Sequence, residues 1–253
     1  LKSKYGNRIS EILEYQERKQ ERLNVLENYD AYLSGLKKEF GQCERELLEN
    51  SKKMSEIRKR YASELGGKIK SALVDLNFLD VEFEITFERM QHPGMLGFDD
   101  ICFMISTNPG ERMKPLHKVA SGGEMSRIML AIKAVLADKD STETLIFDEI
   151  DVGISGRTAQ KVSEKMAVIA KNHQVICITH LAQIASMADS HYVIEKKVEN
   201  QITTTSIRKL SETESVEELA RILGGAKITT TVLESAREMK ELAVRIKKET
   251  GGR

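Results

Sequence analysis

From Arg8 to about Lys70 the chain has no proline, and apolar side chains recur at every seventh position. Ile12, Leu26, Leu33, Phe40, Leu47, Met54 and Tyr61 share one line of a helix, interrupted only by Lys19. Such a stripe calls for a partner helix. The companion line through Ile9, Gln16, Leu23, Asp30, Lys37, Glu44, Ser51, Arg58 and Leu65 is mostly polar, so the seam is narrow for a two-stranded coil. Gly35 and Gly41 are expected to bend or break the helix, since each costs about 1 kcal/mol relative to Ala. Two readings stay open: one continuous arm, on the order of 90 Å at 1.5 Å per residue, or a bundle of two shorter helices.

The pattern changes after Gly66-Gly67 and one further amphipathic turn near Ile69 to Leu76. Leu79, Val81, Phe83, Ile85 and Phe87 alternate with polar neighbours, the period of a strand with one wet face. Ile101 to Ile105 reads as its antiparallel partner, with His92-Pro93-Gly94 and Gly97 in the turn between them. From Gly123 the order becomes helix (to about Ala137), apolar strand (Thr144 to Phe147), helix (Arg157 to Lys171), apolar strand (Val175 to Thr179) and short helix (Leu181 to Ala188). Buried strands alternating with helices imply parallel βαβ units. His191 to Lys196 and Ile202 to Leu210 read as strands, followed by helices near Val216 to Leu223 and Thr230 to Lys248.

Composition narrows the class. Of 253 residues 40% are hydrophobic and 31% charged, with no Trp, a mix typical of soluble helical proteins. Lys+Arg and Asp+Glu both number 39, so no global charge draws the chain toward nucleic acid or an anionic membrane. No run approaches the roughly 18 apolar residues of a membrane span, and no leader pattern opens the chain, so a cytoplasmic protein without membrane contact is expected. Cys43, Cys102 and Cys177 are odd in number and far apart, which fits reduced, packed thiols rather than disulfides or a zinc site. The chain begins at Leu1 inside a charged helical pattern, as expected of a piece of a longer protein.

Three short stretches carry chemistry. Leu145 to Phe147 is an apolar strand that ends in Asp148-Glu149. Carboxylates at a strand's carboxyl end can meet a metal-bound nucleotide, one holding Mg²⁺ and the other orienting water. Ser121-Gly122-Gly123-Glu124 opens a helix whose first N–H groups can receive a phosphate. An ordinary turn with Ser121 as helix cap remains an alternative. His180 ends the next strand, where a lone histidine is more often packed than reactive.

Their order resembles the C-terminal half of an ABC-type ATPase head: signature motif, Walker B, an Asp151 to Gly156 D-loop, and switch histidine. The preceding arm is similar to that of the SMC-like chromosome and repair ATPases. The wording of Val119 to Arg127, of Phe147 to Arg157 and of Thr179-His180-Leu181 resembles their bacterial DNA-repair branch, in which a Gly-rich D-loop is the most discriminating piece. Ala182 departs from the proline expected there. The resemblance implies an α/β fold: residues 1–72 a coiled-coil arm, and residues 73–253 half of a P-loop ATPase head, a mixed sheet with flanking helices.

It further implies ATP and Mg²⁺ as cofactors, with Asp148 supporting the metal, Glu149 polarising the hydrolytic water and His180 contacting the γ-phosphate. Asp151 would lie at a dimer seam. Ser121, Gly122, Gly123 and Glu124 form the signature, of which Ser121 and Gly123 would reach the nucleotide of the opposite subunit. Expected partners are the N-terminal half of the same protein, a second head and DNA, in a nucleoid-associated setting. No G-x-x-x-x-G-K-[ST] phosphate loop occurs, because Gly66-Gly67-Lys68 lacks both the earlier glycine and the following hydroxyl. In the family that loop lies N-terminal to the arm, so this chain alone is expected to be inactive. A non-enzymatic interaction module with a head-like fold is the alternative, and a transporter subunit would not follow such an arm. Lys52-Lys53, Arg58-Lys59-Arg60, Lys68 and Lys70 could meet DNA phosphates or simply form a solvated face.

Overall fold

The computed structural model describes residues 2–5, 8–78, 80–137, 139–199, 202–225 and 227–249. Leu1 and Leu79, both used in the sequence reading, lie outside them. Grouped by their contacts, the residues form two units: Leu1–Arg60 with Phe87–Asp100, and Tyr61–Thr86 with Ile101–Arg253.

A short α1 (Lys2–Tyr5) precedes α2 (Ile9–Glu27) and α3 (Tyr29–Asp75). The break falls at Asn28; Gly35 and Gly41, expected to cause it, sit inside α3. A single glycine costs too little to stop a helix of 47 residues. Asn28 instead leaves helical geometry (φ −108°, ψ 26°) and caps both sides. Its Nδ2 donates to the Asn24 carbonyl at 3.1 Å, and its own carbonyl accepts the Tyr32 N–H at 2.9 Å. No residue of α2 is buried, and Leu26, Phe40, Leu47 and Tyr61 of the stripe are exposed.

β1 (Glu82–Gly94) and β2 (Gly97–Ser106) are neighbours in a sheet completed by β3 (Lys114–Pro115). β2 and β3 are antiparallel, with Ile105 opposite Lys114. The two residues Met95 and Leu96 can join β1 to β2 only as an antiparallel hairpin. His92-Pro93-Gly94, expected in the turn, instead extend β1. β1 is an edge strand, where proline costs no central ladder bond, and Gly97 supplies the positive φ (+87°) that turns the chain. Within this first unit the tip is pinned through Asp99, whose carboxylate accepts Ser55 Oγ at 2.7 Å and Arg58 Nη1 at 3.2 Å.

In the second unit the end of α3 and the turn after it join the core: Ile69, Leu73 and Leu76 are buried with Phe83, Ile105 and Ile128. Asn77 at φ +70° ends it, a left-handed position that Asn tolerates. A 3₁₀ turn (Leu116–Lys118) leads to α4 (Gly122–Leu136), β4 (Thr144–Phe147), α5 (Gly156–Ile169), β5 (Gln174–Cys177) and α6 (Ala182–Ala185). β4 and β5 are parallel, with α5 as the crossover, as the alternating pattern predicts. The expectation of fully buried strands is corrected on one face: Leu145 and Phe147 are buried, whereas Ile146 is 68% and Ile176 44% exposed. An antiparallel hairpin of β6 (Tyr192–Glu199) and β7 (Ile202–Lys209) follows. α7 (Glu212–Gly224) and α8 (Thr230–Glu249) then pack Leu219, Ala220 and Ala236 against Ala182 and Ala185 of α6.

Candidate nucleotide-binding site

Parallel pairing places Phe147 beside Cys177, so β4 and β5 leave the sheet at the same edge. The Ile178 N–H bonds the Phe147 carbonyl at 3.0 Å. Asp148-Glu149 and Thr179-His180 therefore emerge side by side at carboxyl strand ends, where ligands meet open α/β sheets.

Asp148 and Glu149 are both exposed. Asp148 Oδ1 accepts the Glu149 N–H at 2.9 Å, and the Asp148 carbonyl accepts Ser126 Oγ at 2.9 Å. Glu149 itself stands at φ +56°, a left-handed conformation that costs a non-glycine residue about 1–3 kcal/mol and needs support from its surroundings. Its carbonyl accepts the Val152 N–H at 3.2 Å, and α4 closes the other side. A Cβ on Gly123 would stand 3.1 Å from the Glu149 carbonyl oxygen and 3.1 Å from Val152, and one on Gly122 would collide with the Glu149 carboxylate. Gly123, which faces main-chain oxygens, is thus what allows the helix to begin against this segment.

Ser121 is exposed at the head of α4, and its Oγ accepts the Glu124 N–H at 3.4 Å. The simple cap reading is therefore realised as well. One turn on, Arg127 is buried, donates from Nη1 to the Val152 carbonyl at 2.9 Å and lies over the Phe78 ring. Burial pushes its guanidinium below the usual range, and nearby Glu124 draws it back. Its Nε has no hydrogen-bond partner among the described residues. Sequence reasoning gave Arg127 no role. The available signal was a charge on the inward line Gly123, Arg127, Ala131 of an otherwise apolar helix face.

Asp151 is only 4% exposed. Its Oδ2 accepts Thr179 Oγ1 at 2.6 Å and the His180 N–H at 2.8 Å, and stands 3.0 Å from His180 Nδ1. In this single chain its carboxylate therefore faces inward and holds the neighbouring strand end. Cys177, pushed up to about 12 by burial and then by Asp151 and Asp148, is a packed, inert thiol. Ala182 starts α6 and is buried.

The structure brings Gly122, Gly123 and Glu149 together, and likewise Asp151 and His180; Asp148 adjoins Glu149 at the same strand end. Among the described residues no three His, Cys, Asp or Glu side chains converge on one point. Mg²⁺ is commonly held by one or two carboxylates plus substrate phosphates, and exposed Asp148 fits that mode. Most of the basic residues near the end of the arm are already paired: Lys53 with Glu49, Arg58 with Asp99, Lys68 with Glu64 and Lys70 with Glu82.

A glycine-opened helix is thus packed on an acidic strand end, beside a parallel strand that is followed by His180. No protein-family model matches the chain. It is 38% identical to DNA repair protein RecN of Bacillus subtilis over 262 residues, covering 98% of this chain and 46% of that protein. The RecN of Halalkalibacterium halodurans is 40% identical over 251 residues, covering 98% and 44%, and that of Treponema pallidum 38% over 245 residues, covering 94% and 43%. The chain is similar to a segment of these RecN proteins, and it spans about half the length of the curated relatives it matches. Among solved structures, an Smc head domain with a coiled coil and joint derived from Pyrococcus yayanosii superposes with a TM-score of 0.49 at 17% identity, covering 84% of this chain and 38% of that one. Among the described residues no helix is long and apolar enough to cross a membrane.

Proposed function

We propose that this chain supplies the signature and Walker B half of a nucleotide head in a DNA double-strand-break repair and recombination ATPase, with residues 1–72 as arm and 73–253 as half-head. Its relatives carry the name DNA repair protein. The observation that carries the reading is the packing of Gly122 and Gly123 against Glu149 and Val152 at the edge where β4 and β5 end. Asp148 binds Mg²⁺, Glu149 orients the attacking water, and Ser121 with the N–H group of Gly123 receives the nucleotide of a second head. ATP closes the two heads and hydrolysis releases them, a cycle coupled to DNA in the cytoplasm at the nucleoid. ATP supplies the phosphoanhydride whose cleavage drives release; these residues bind, orient and position.

The N-terminal half of the same protein is the first partner. Parallel sheets are ordinarily covered on both faces, yet Ile146, Ile176 and, just past β5, Ile178 (49%) are exposed. A further lobe on that face buries them, and its phosphate loop provides the contacts absent from this sequence.

The test is reconstitution. Residues 1–253 alone neither bind ATP tightly nor turn it over; joined to the upstream half they show Mg²⁺-dependent turnover. Glu149→Gln then keeps Mg-ATP binding, slows hydrolysis by roughly 10²-fold or more and accumulates closed heads. Robust, Glu149-dependent hydrolysis by the isolated chain would overturn the split-head assignment.

A further inference from the structure

We propose that Asp151 is a positioning residue that fixes His180 in the tautomer carrying its hydrogen on Nδ1, so that the ring turns a bare Nε2 toward the nucleotide side. The two side chains have opposite environments: Asp151 is 4% exposed, whereas the His180 side chain is 73% exposed. The ring thus has one nitrogen within ion-pair distance of a buried carboxylate and is open at the rest.

The hydrogen-bond inventory of Asp151 gives the direction. Its Oδ2 receives the Thr179 hydroxyl at 2.6 Å and the His180 backbone N–H at 2.8 Å. Thr179 Oγ1 in turn accepts the Leu181 N–H at 3.0 Å, which commits the hydroxyl hydrogen to Asp151. An oxygen already receiving two donors has no place for a hydrogen of its own, so toward His180 Nδ1, 3.0 Å away, it can only accept. A bare Nδ1 lone pair this close to a carboxylate oxygen would be repelled, which favours the hydrogen on Nδ1 and leaves Nε2 of the neutral ring with a lone pair. The backbone N–H bond fixes residue 180 on the same carboxylate oxygen, so ring and main chain are held as one piece.

This changes what His180 can do. The family resemblance has this histidine contact a γ-phosphate, but a bare Nε2 and a phosphate oxygen are both acceptors. Contact requires a second ring proton, taken from solvent, and the resulting imidazolium has Asp151 as its counter-ion. His180 therefore meets phosphate as a cation, never as a neutral donor. Asp151 acts here within its own chain, in addition to any place at a dimer seam.

The tautomer stands on geometry alone, whereas its consequence for turnover rests on the proposed ATPase reading, and the two are tested separately. First, the ¹⁵N-labelled 253-residue chain is studied by long-range ¹H–¹⁵N correlation of its histidine rings, at a pH alkaline enough to keep them neutral, with His180→Gln to assign the signals. The expected ring has protonated Nδ1 and bare Nε2, unchanged in Thr179→Val, which keeps the carboxylate. In Asp151→Ala, with an otherwise preserved amide spectrum, it moves toward the Nε2-protonated form. A wild-type ring protonated on Nε2, or an Asp151→Ala ring that stays on Nδ1, overturns the proposal; the wild-type result decides even if the alanine variant does not fold. Second, in the protein reconstituted with its upstream half, Asp151→Ala lowers kcat by roughly 10²-fold with little change in KM, and His180→Gln adds little to that loss. Unchanged kcat in a folded Asp151→Ala protein overturns the positioning role. Absence of Mg-ATP turnover in the wild type refutes the ATPase reading and leaves the ring assignment to the spectrum.

Discussion

Arg127 donates from Nη1 to the carbonyl of Val152 at 2.9 Å, tying the second turn of α4 to the loop that follows Asp148 and Glu149. Ser126 bonds the Asp148 carbonyl one residue earlier on the same helix. The segment that carries Ser121 and the segment that carries Asp148 are therefore one packed body, and any displacement of α4 reaches Glu149 through these contacts.

Replacing Arg127 with Met keeps much of the buried volume and removes the bond to Val152. Hydrogen bonds involving a charged group contribute about 1.5–3 kcal/mol, so urea unfolding of the chain should show a loss of about 2 kcal/mol. Amide exchange at Val152 to Ile154 should rise. A change under about 0.5 kcal/mol, the usual surface scatter, means that the loop holds itself.

Gly123 and Gly67 make a contrasting pair. Ala at 123 must push against main-chain oxygens of Glu149 and Val152 at 3.1 Å, and overpacking of this kind costs about 1–3 kcal/mol. Ala at 67, in α3, meets no described atom within 4 Å and should stabilise by up to about 1 kcal/mol through helix propensity. Thermal unfolding should move down for the first and up for the second; equal shifts contradict the packing of α4 on Glu149.

α7 opens with a reciprocal cap. Ser211 Oγ accepts the Glu214 N–H at 3.3 Å, and the Glu214 carboxylate accepts the Ser211 N–H at 2.8 Å. Those bonds to Ser211, with Arg208 adding to them, hold the Glu214 carboxyl at about 2, below its ordinary 4.5. A lowered folded value means that its contribution is fully present above about pH 4.5 and is lost as pH falls toward 2. Carboxyl-carbon NMR should show Glu214 titrating well below the exposed glutamates. Glu214→Gln should remove the part of acid destabilisation that falls in this window, and a Glu214 midpoint near 4.5 argues against the cap.

Trans completion can be read by mixing two variants of the reconstituted protein. On the proposed function, Ser121→Arg should obstruct closure against the partner's nucleotide, and Asp148→Asn should weaken the Mg-nucleotide of its own head. A heterodimer of the two holds one composite site with both defects and one with neither. Turnover plotted against mixing ratio should rise above both parents. If heterodimers form and turnover stays at the parental level, Ser121 serves its own head or the two sites are strictly coupled.

Much of the second unit was legible from pattern alone. The apolar run Thr144 to Phe147 became β4 with the same limits, and the order of helix, strand, helix, strand appeared as the parallel β4–α5–β5 unit, because short apolar runs bounded by helices have few other ways to be buried. The hairpin turn was misplaced: His92-Pro93-Gly94 carry turn chemistry, but the β1–β2 ladder runs past them to Gly97. The arm's break was misplaced too, since propensity marks glycines whereas the capping bonds of Asn28 decide the geometry.

By itself the sequence determined which chemistry is present: two carboxylates after an apolar strand, a Ser-Gly-Gly-Glu helix start, and a histidine after the next strand. These follow from residue type and spacing, to which local structure responds directly. Tertiary packing alone decided how they are coupled. Glu149 holds a left-handed backbone with Gly123 of α4 packed against its carbonyl, Arg127 is enlisted by a carbonyl 25 residues away, and Asp151 turns inward to hold His180 across 29 residues of chain. Such contacts depend on where the crossover helix returns the chain, a sum of burial over the whole core that no window of sequence contains.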